Sequence, residues 1–261
     1  AAEKAGIIKP GVPVISAPQS DEALAVIQTT CQRQDAPLTL VGRDWTWRAG
    51  SADHRGQAFS VYRGPEAVGD FWLPLLGEYQ LLNATTALAA VTELGEKKVT
   101  VSLEAMRSGL EMVSWPGRLE VLGREPLVIV DSAHNGNSAR KLTAALRELF
   151  AFGRLTMVLG ASTDHVTPGL LEGLLSGAYR GIATQARHPR AARPAWIQAQ
   201  AADLGFDLEL CSTVHQALEV ALDGALPDDL ICCTGSVFVA AEARAAWFAR
   251  EGMSLPPSDP T

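Results

Sequence analysis

From Pro126 to Thr234 the chain alternates between short unbroken apolar runs and longer stretches whose apolar residues recur every three or four positions. The runs are "PLVIV", "LTMVLG", "RGIAT", "FDLELC" and "DLICCT". Between them lie "SARKLTAALRELF", "GLLEGLLSG", "PAWIQAQAADLG" and "TVHQALEVALDG", and "VAAEARAAWFAR" closes the series. Unbroken apolar runs suit strands buried on both faces, and the helical spacing suits the helices that cover them. The pattern predicts an α/β fold of βαβ units on a mostly parallel sheet. Upstream the rhythm differs. "GVPVI" reads as a short strand and "SDEALAVIQTTCQRQ" as a helix with Ser20 or Asp21 at its N-cap. From Leu38 to Leu73 the β-like runs "LTLVG", "WTWRA", "QAFSVY" and "DFWLP" are separated by Gly, Asp and Ser, which predicts a small antiparallel insertion. "GEYQLLNATTALAAVTELG" has the helical period, with Gly95 just past its end, and "SLEAMRSGLEMV" is a helix capped by Ser102. Pro116 and Gly117 in "SWPGRLE" then break the pattern, so the expected domains are residues 1–113 and 114–261. The tail "SLPPSDPT" is expected to be disordered.

Composition narrows the function classes. With 261 residues, 47% hydrophobic and 20% charged, the chain has the make-up of a soluble globular protein with room for two cores. A formal charge of −7 argues against broad nucleic-acid binding, which favours a basic face, while leaving room for a local anion pocket. No apolar run approaches the length of a membrane span and no signal segment opens the chain, so no membrane partner and a cytoplasmic location are expected. Cys31, Cys211, Cys232 and Cys233 form no C-x-x-C pair and read as reduced, mostly buried thiols. Metal-ligand spacing is absent, and so are the Walker phosphate loop, G-x-G-x-x-G after a strand, and the G-x-S-x-G elbow. The chain opens without Met at "AAEKAGIIKPG", which reads as the end of a helix running into a Pro-Gly turn and suggests a piece of something longer.

Ligands of open parallel sheets sit beyond the carboxyl ends of the strands. Asp131 stands at such an end, in "VIVDSAHNGNS". Gly136 and Ser138 would let the chain turn into a helix whose N-terminus suits an anion, with His134 as a donor and Asp131 accepting from a hydroxyl or amine. The plainer alternative has Asp131 capping the helix and His134 exposed. "DLICCTGSVF" repeats the arrangement, with Gly235 for the turn and Ser236 as helix cap or ligand contact. Arg118, just after a rigid Pro-Gly turn, suits a phosphate or carboxylate, or else is a solvated linker residue. Asp164 and His165 in "GASTDHVTPG" mark a third strand-end loop; Arg187, His188 and Arg190 in "TQARHPRA" form the most basic short stretch. Asn83 either approaches a ligand or faces water, and Lys4 by itself is a surface lysine.

Taken together, "AAEKAGIIKPGVPVI", "LLGEYQLLNATTALAA", "WPGRLEVL", "VIVDSAHNGNS" and "CTGSVFVAAEAR" resemble, in order, the folylpolyglutamate synthase / dihydrofolate synthase family of the Mur ligase superfamily. The resemblance covers nearly the whole chain. It implies a truncated central ATPase domain followed by a Rossmann-like C-terminal domain. It also implies a reaction in which ATP phosphorylates a dihydropteroate or folate carboxylate, and the amine of L-glutamate attacks the acyl phosphate to give an amide, ADP and phosphate. Carried over residue by residue, Arg118, Asp131 and Asn83 match ATP contacts. His134 and Ser236 match positions near the incoming glutamate and the phosphate region. Lys4 matches a lysine carried as a carbamate near Mg²⁺, which would need a neutral amine. The family's phosphate loop and its metal ligands would precede Ala1, so no metal ligand and no independent ligase activity are expected of these residues. Tyr79 stands where the family usually has His, and His165 where Lys is common. A monomer is expected for the full-length protein. Two rival readings remain at this point: a non-catalytic binding module of the same fold, and a Mur-type ligase acting on a cell-wall precursor.

Overall fold

A computed structural model of the chain describes residues 1–95 and 99–255. It divides into two compact units, Ala1–Ser114 and Trp115–Thr261, one residue beyond the division read from the sequence. Most of the tail expected to be disordered, residues 256–261, lies outside the described residues.

The first unit opens with α1 (Ala2–Ala5), β1 (Val14–Ser16), α2 (Asp21–Arg33) and β2 (Leu38–Leu40). Ser20 takes the N-cap of α2 without a side-chain cap bond. β1 and β2 pair in parallel, Val14 opposite Leu38. This corrects the expectation that Leu38–Leu40 belongs to the antiparallel insertion. An intervening helix returns the chain in the same direction, whereas antiparallel neighbours need only a hairpin. Three β-prone residues carry no information about their partner. The insertion itself is β3 (Trp45–Asp53), β4 (Gly56–Arg63) and β5 (Glu66–Leu73), an antiparallel sheet in that order. Its inward residues Trp45, Phe59, Val61 and Phe71 form one core with Leu81, Ala84 and Leu88 of α3 (Glu78–Gly95). Gly95, expected beyond this helix, is its last residue. α4 (Leu103–Glu111) lies on β5, and its Ser102 cap accepts from the Ala105 N–H at 3.1 Å.

The second unit is a six-stranded sheet. Its strands are β6 (Glu120–Arg124), β7 (Leu127–Val130), β8 (Leu155–Leu159), β9 (Arg180–Ala183), β10 (Glu209–Leu210) and β11 (Leu230–Thr234). Their spatial order is β10-β9-β8-β11-β7-β6, parallel throughout except for β6, which runs antiparallel to β7. Val128, Val130, Val158, Ile182, Ile231 and Cys233 pack into a core with α8 (Val214–Asp223) and α9 (Val237–Arg250). Because side chains alternate along a strand, Ile129, Met157, Leu159 and Cys232 face the other way. That side is covered by α5 (Gly136–Leu149), α6 (Pro168–Leu175) and α7 (Pro194–Ala202), packed in series. Burial on both sides is why these strands read as continuous apolar runs. β10 is shorter than "FDLELC" suggested, since it is an edge strand and both its residues are exposed.

At the amino ends of β8 and β11 one carboxylate ties the sheet together. Asp229 accepts from the backbone N–H groups of Arg154 (3.0 Å) and Leu226 (2.8 Å) and from the Arg154 guanidinium. Asp229 is buried, and the Arg154 hydrogen bonds hold its carboxyl down at about 2.

Candidate active site

β7 and β11 are neighbours, yet α5 leaves β7 toward one face of the sheet and α9 leaves β11 toward the other. Such a reversal opens a crevice at the carboxyl edge. Asp131 enters it directly after β7, its N–H donating to the Cys233 carbonyl at 3.1 Å. The residue is only 5% exposed. Its Oδ2 accepts from the Leu119 N–H at 2.9 Å and its Oδ1 from the Ala133 N–H at 2.8 Å. Burial pushes the carboxyl above the usual carboxylate range, while those two donors and the Arg118 and His134 charges pull it down. The carboxylate therefore staples the loop after β7 to the turn before β6.

Asp131 does not cap α5, contrary to the plainer alternative. Asn135 does: its Oδ1 accepts from the Ser138 N–H at 2.9 Å, and Ser138 Oγ accepts from the Asn135 N–H at 3.1 Å. This reciprocal pair is a capping box. Gly136 and Ser138 accordingly sit inside the first helical turn and do not make the bend before it. Gly136 has a different reason to lack a side chain: a Cβ there would lie 2.9 Å from the backbone of Gly169.

Arg118 is half-buried, between two residues in the left-handed region, Gly117 (φ 73°) and Leu119 (φ 46°). Its guanidinium hydrogen-bonds to no described residue, and its charge acts on the neighbouring Asp131 carboxylate. That arrangement suits a phosphate or carboxylate. His134 is exposed, with Nδ1 3.0 Å from the Ser132 carbonyl oxygen. A carbonyl only accepts, so this contact assigns the proton to Nδ1 and leaves Nε2 of the neutral ring as a lone-pair acceptor. The ring stacks on His165 at 5.4 Å, which brings in the loop after β8, where His165 Nε2 lies 3.7 Å from Asp164 Oδ2.

On β11 the chain turns at Gly235 (φ 96°), where a Cβ would meet the Gly160 carbonyl oxygen at 2.6 Å. Ser236 then caps α9, its Oγ accepting from the Val239 N–H at 3.1 Å. The basic loop after β9 latches onto the start of that helix. The His188 ring stacks on Phe238 at 4.0 Å and the Arg187 N–H donates to Glu242 Oε1 at 2.6 Å. Arg118, Asp131 and His134 are thus brought together, with Ser236 on the adjacent strand end. Sequence reasoning passed over Ser132, Thr184 and Thr234, whose buried hydroxyls have no hydrogen-bond partner among the described residues and stand just beyond or at the ends of β7, β9 and β11. The available signal was a hydroxyl residue at the end of each apolar run.

Lys4 and Asn83 belong to the first unit. The Lys4 side chain is 86% exposed, with Nζ 3.9 Å from Glu3 Oε1. Asn83 is exposed on α3 and its Nδ2 donates to Gln80 Oε1 at 3.0 Å. Among the described residues no group of three or more His, Cys, Asp or Glu could hold a metal ion. No helix among them is long and apolar enough to cross a membrane.

The family described as Mur ligase, glutamate ligase domain matches residues 117–237, the span that holds Arg118, Asp131, His134 and Ser236. The dihydrofolate synthase/folylpolyglutamate synthase of Bacillus subtilis is 34% identical over 175 residues, covering 67% of this chain and 41% of that protein. The Escherichia coli dihydrofolate synthase/folylpolyglutamate synthase is 31% identical over 235 residues, covering 90% of this chain and 51% of that protein. A crystal structure of Mycobacterium tuberculosis folylpolyglutamate synthase complexed with ADP and AMPPCP matches with a TM-score of 0.85 at 26% identity. It covers 100% of this chain and 59% of the other. The chain spans about half the length of the curated relatives it matches. With this domain match and these relatives beside an α/β fold of mostly parallel strands, residues 117–237 carry a Mur ligase glutamate ligase domain and the chain is a homologue of folylpolyglutamate and dihydrofolate synthases.

Proposed function

We propose that the protein containing this chain is an ADP-forming ligase of folate metabolism. In this reading it joins L-glutamate to a dihydropteroate or folate carboxylate through an acyl phosphate made from ATP. The observation that carries the reading is the Arg118 guanidinium, hydrogen-bonded to no described residue and close enough to the Asp131 carboxylate to act on its charge, within the span that matches a glutamate ligase domain. Arg118 holds phosphate oxygens of the nucleotide, which concentrates positive charge where negative charge develops. Asp131 keeps the Arg118 turn in place and lines the nucleotide side. His134 offers Nε2 to the amine of the incoming glutamate as the amide bond forms, and Ser236 with the N-terminus of α9 faces the phosphate region. Asn83 is assigned to the nucleotide and Lys4 to a carbamate. Both assignments rest on the family resemblance of their segments.

The test is ADP release by the intact protein, measured across acceptors. The expected result is turnover only when L-glutamate and dihydropteroate or a folate are both present. Nucleotide binding without ADP release would instead indicate a binding module, and turnover confined to a cell-wall precursor would defeat the folate assignment.

A further inference from the structure

The turn that carries Arg118 is held from both sides, and one of the two holds belongs to residues outside the crevice. On one side Leu119 adopts φ 46°, a conformation unfavourable for a branched side chain, and its N–H is bound by Asp131. On the other side the Gly117 N–H donates to Glu120 Oε2 at 2.7 Å. Glu120 is itself fixed, since Arg244 Nε donates to its Oε1 at 2.8 Å and its Oε2 at 3.0 Å. The two side chains are only 23% and 13% exposed, so this ion pair is well shielded from water. Arg244 is steadied in turn by the Phe248 ring, 4.9 Å from its guanidinium carbon. Both Arg244 and Phe248 are on α9. So is Ala240, whose Cβ lies 3.5 Å from where a Gly117 Cβ would stand. Ala240, Arg244 and Phe248 recur at four-residue spacing along one face of the helix that begins at Ser236.

We propose that Glu120 and Arg244 are positioning residues for Arg118. They hold the Gly117–Leu119 turn in the form that presents the guanidinium to the crevice, and they act on an anionic ligand only through it. Through them α9 sets the Arg118 turn and the Ser236 cap relative to each other. The inference rests on the proposed nucleotide-binding role of Arg118, and its test separates the two.

The experiment is a double-substitution cycle in the intact protein, with ADP as the probe and calorimetric affinity as the readout. Glu120→Gln keeps the size of the side chain but loses the charge and one of the two acceptor oxygens. It is expected to weaken ADP binding roughly tenfold in the Arg118 background, the size of one charge-assisted hydrogen bond. In the R118A background the same change should be close to neutral. R244K, which keeps the charge, should restore most of the affinity that R244A loses. An equal loss from E120Q with and without Arg118, or no loss in either, overturns the proposal. Backbone amide exchange over residues 115–121 reads the turn without any ligand, and E120Q is expected to speed it. If R118A leaves ADP affinity unchanged, the nucleotide reading fails. Exchange then decides the positioning role, and protection unaltered by E120Q rejects it.

Discussion

Arg118 earns its place from its surroundings more than from its charge. A solvated arginine would lose most of an electrostatic interaction to water, whereas this one is half-buried on a turn pinned by two carboxylates. Arg118→Ala is therefore expected to lower ADP affinity at least tenfold, with the unfolding midpoint little changed. His134→Ala should leave ADP affinity intact and slow ligation roughly a hundredfold, the usual size of a lost proton acceptor. Parallel binding and turnover measurements separate the two. Asp131→Ala removes the acceptor for two buried N–H groups, those of Leu119 and Ala133, and should destabilise the second unit by about 2 kcal/mol in urea unfolding. An unchanged midpoint would contradict the stapling role. Arg118 and Asp131 stood out in the sequence because one follows Gly117 and the other the end of an apolar run, and His134 because it lies in the loop just beyond that run. Glu120 and Arg244 did not, because their contact spans 124 positions and neither has a local signature. The capping role of Asn135 was there to be read in its spacing from Ser138, but the more conspicuous Asp131 drew the assignment.

Helices and strands were easier to read than their partners. A strand buried on both faces shows itself as an apolar run, so β7, β8, β9 and β11 are visible in the sequence. Which strand lies beside which is a property of the returning chain, and for that reason Leu38–Leu40 was given the wrong neighbours. Close helix approaches are hidden for the same cause: Gly136 and Gly169 meet although α5 and α6 are separate segments. A methyl group at Gly136 would sit 2.9 Å from backbone that cannot swing aside. Gly136→Ala should consequently cost about 1–3 kcal/mol, despite the better helix propensity of alanine, with a lower melting midpoint as the readout. Gly235→Ala combines a left-handed φ of 96° with a 2.6 Å approach to the Gly160 carbonyl oxygen, and should be at least as damaging.

The second unit keeps its candidate chemistry at the carboxyl edge of the sheet and a strong ionic tie at the amino edge. Asp229, held at about 2 against an ordinary 3.8, contributes stability that is complete above its unfolded value and is lost as pH falls from near 4 toward 2. Asp229→Asn should accordingly lower the urea midpoint at pH 7, and the gap to the wild type should close progressively on acidification. A gap that stays constant with pH would exclude this origin. Pro116 and Gly117 interrupt both rhythms at once, close to where the chain divides into two compact units. The strand order was not legible, since β11 comes last in the sheet's sequence yet lies between β7 and β8. That placement bears on how the protein is made. As the chain leaves the ribosome, β7 and β8 emerge long before the strand that joins them, each with an open, apolar flank. Until Leu230–Thr234 has been synthesised the nascent product has no seam along which to close, so a ribosome stalled before that point leaves a sticky half-sheet for chaperones or proteases to clear.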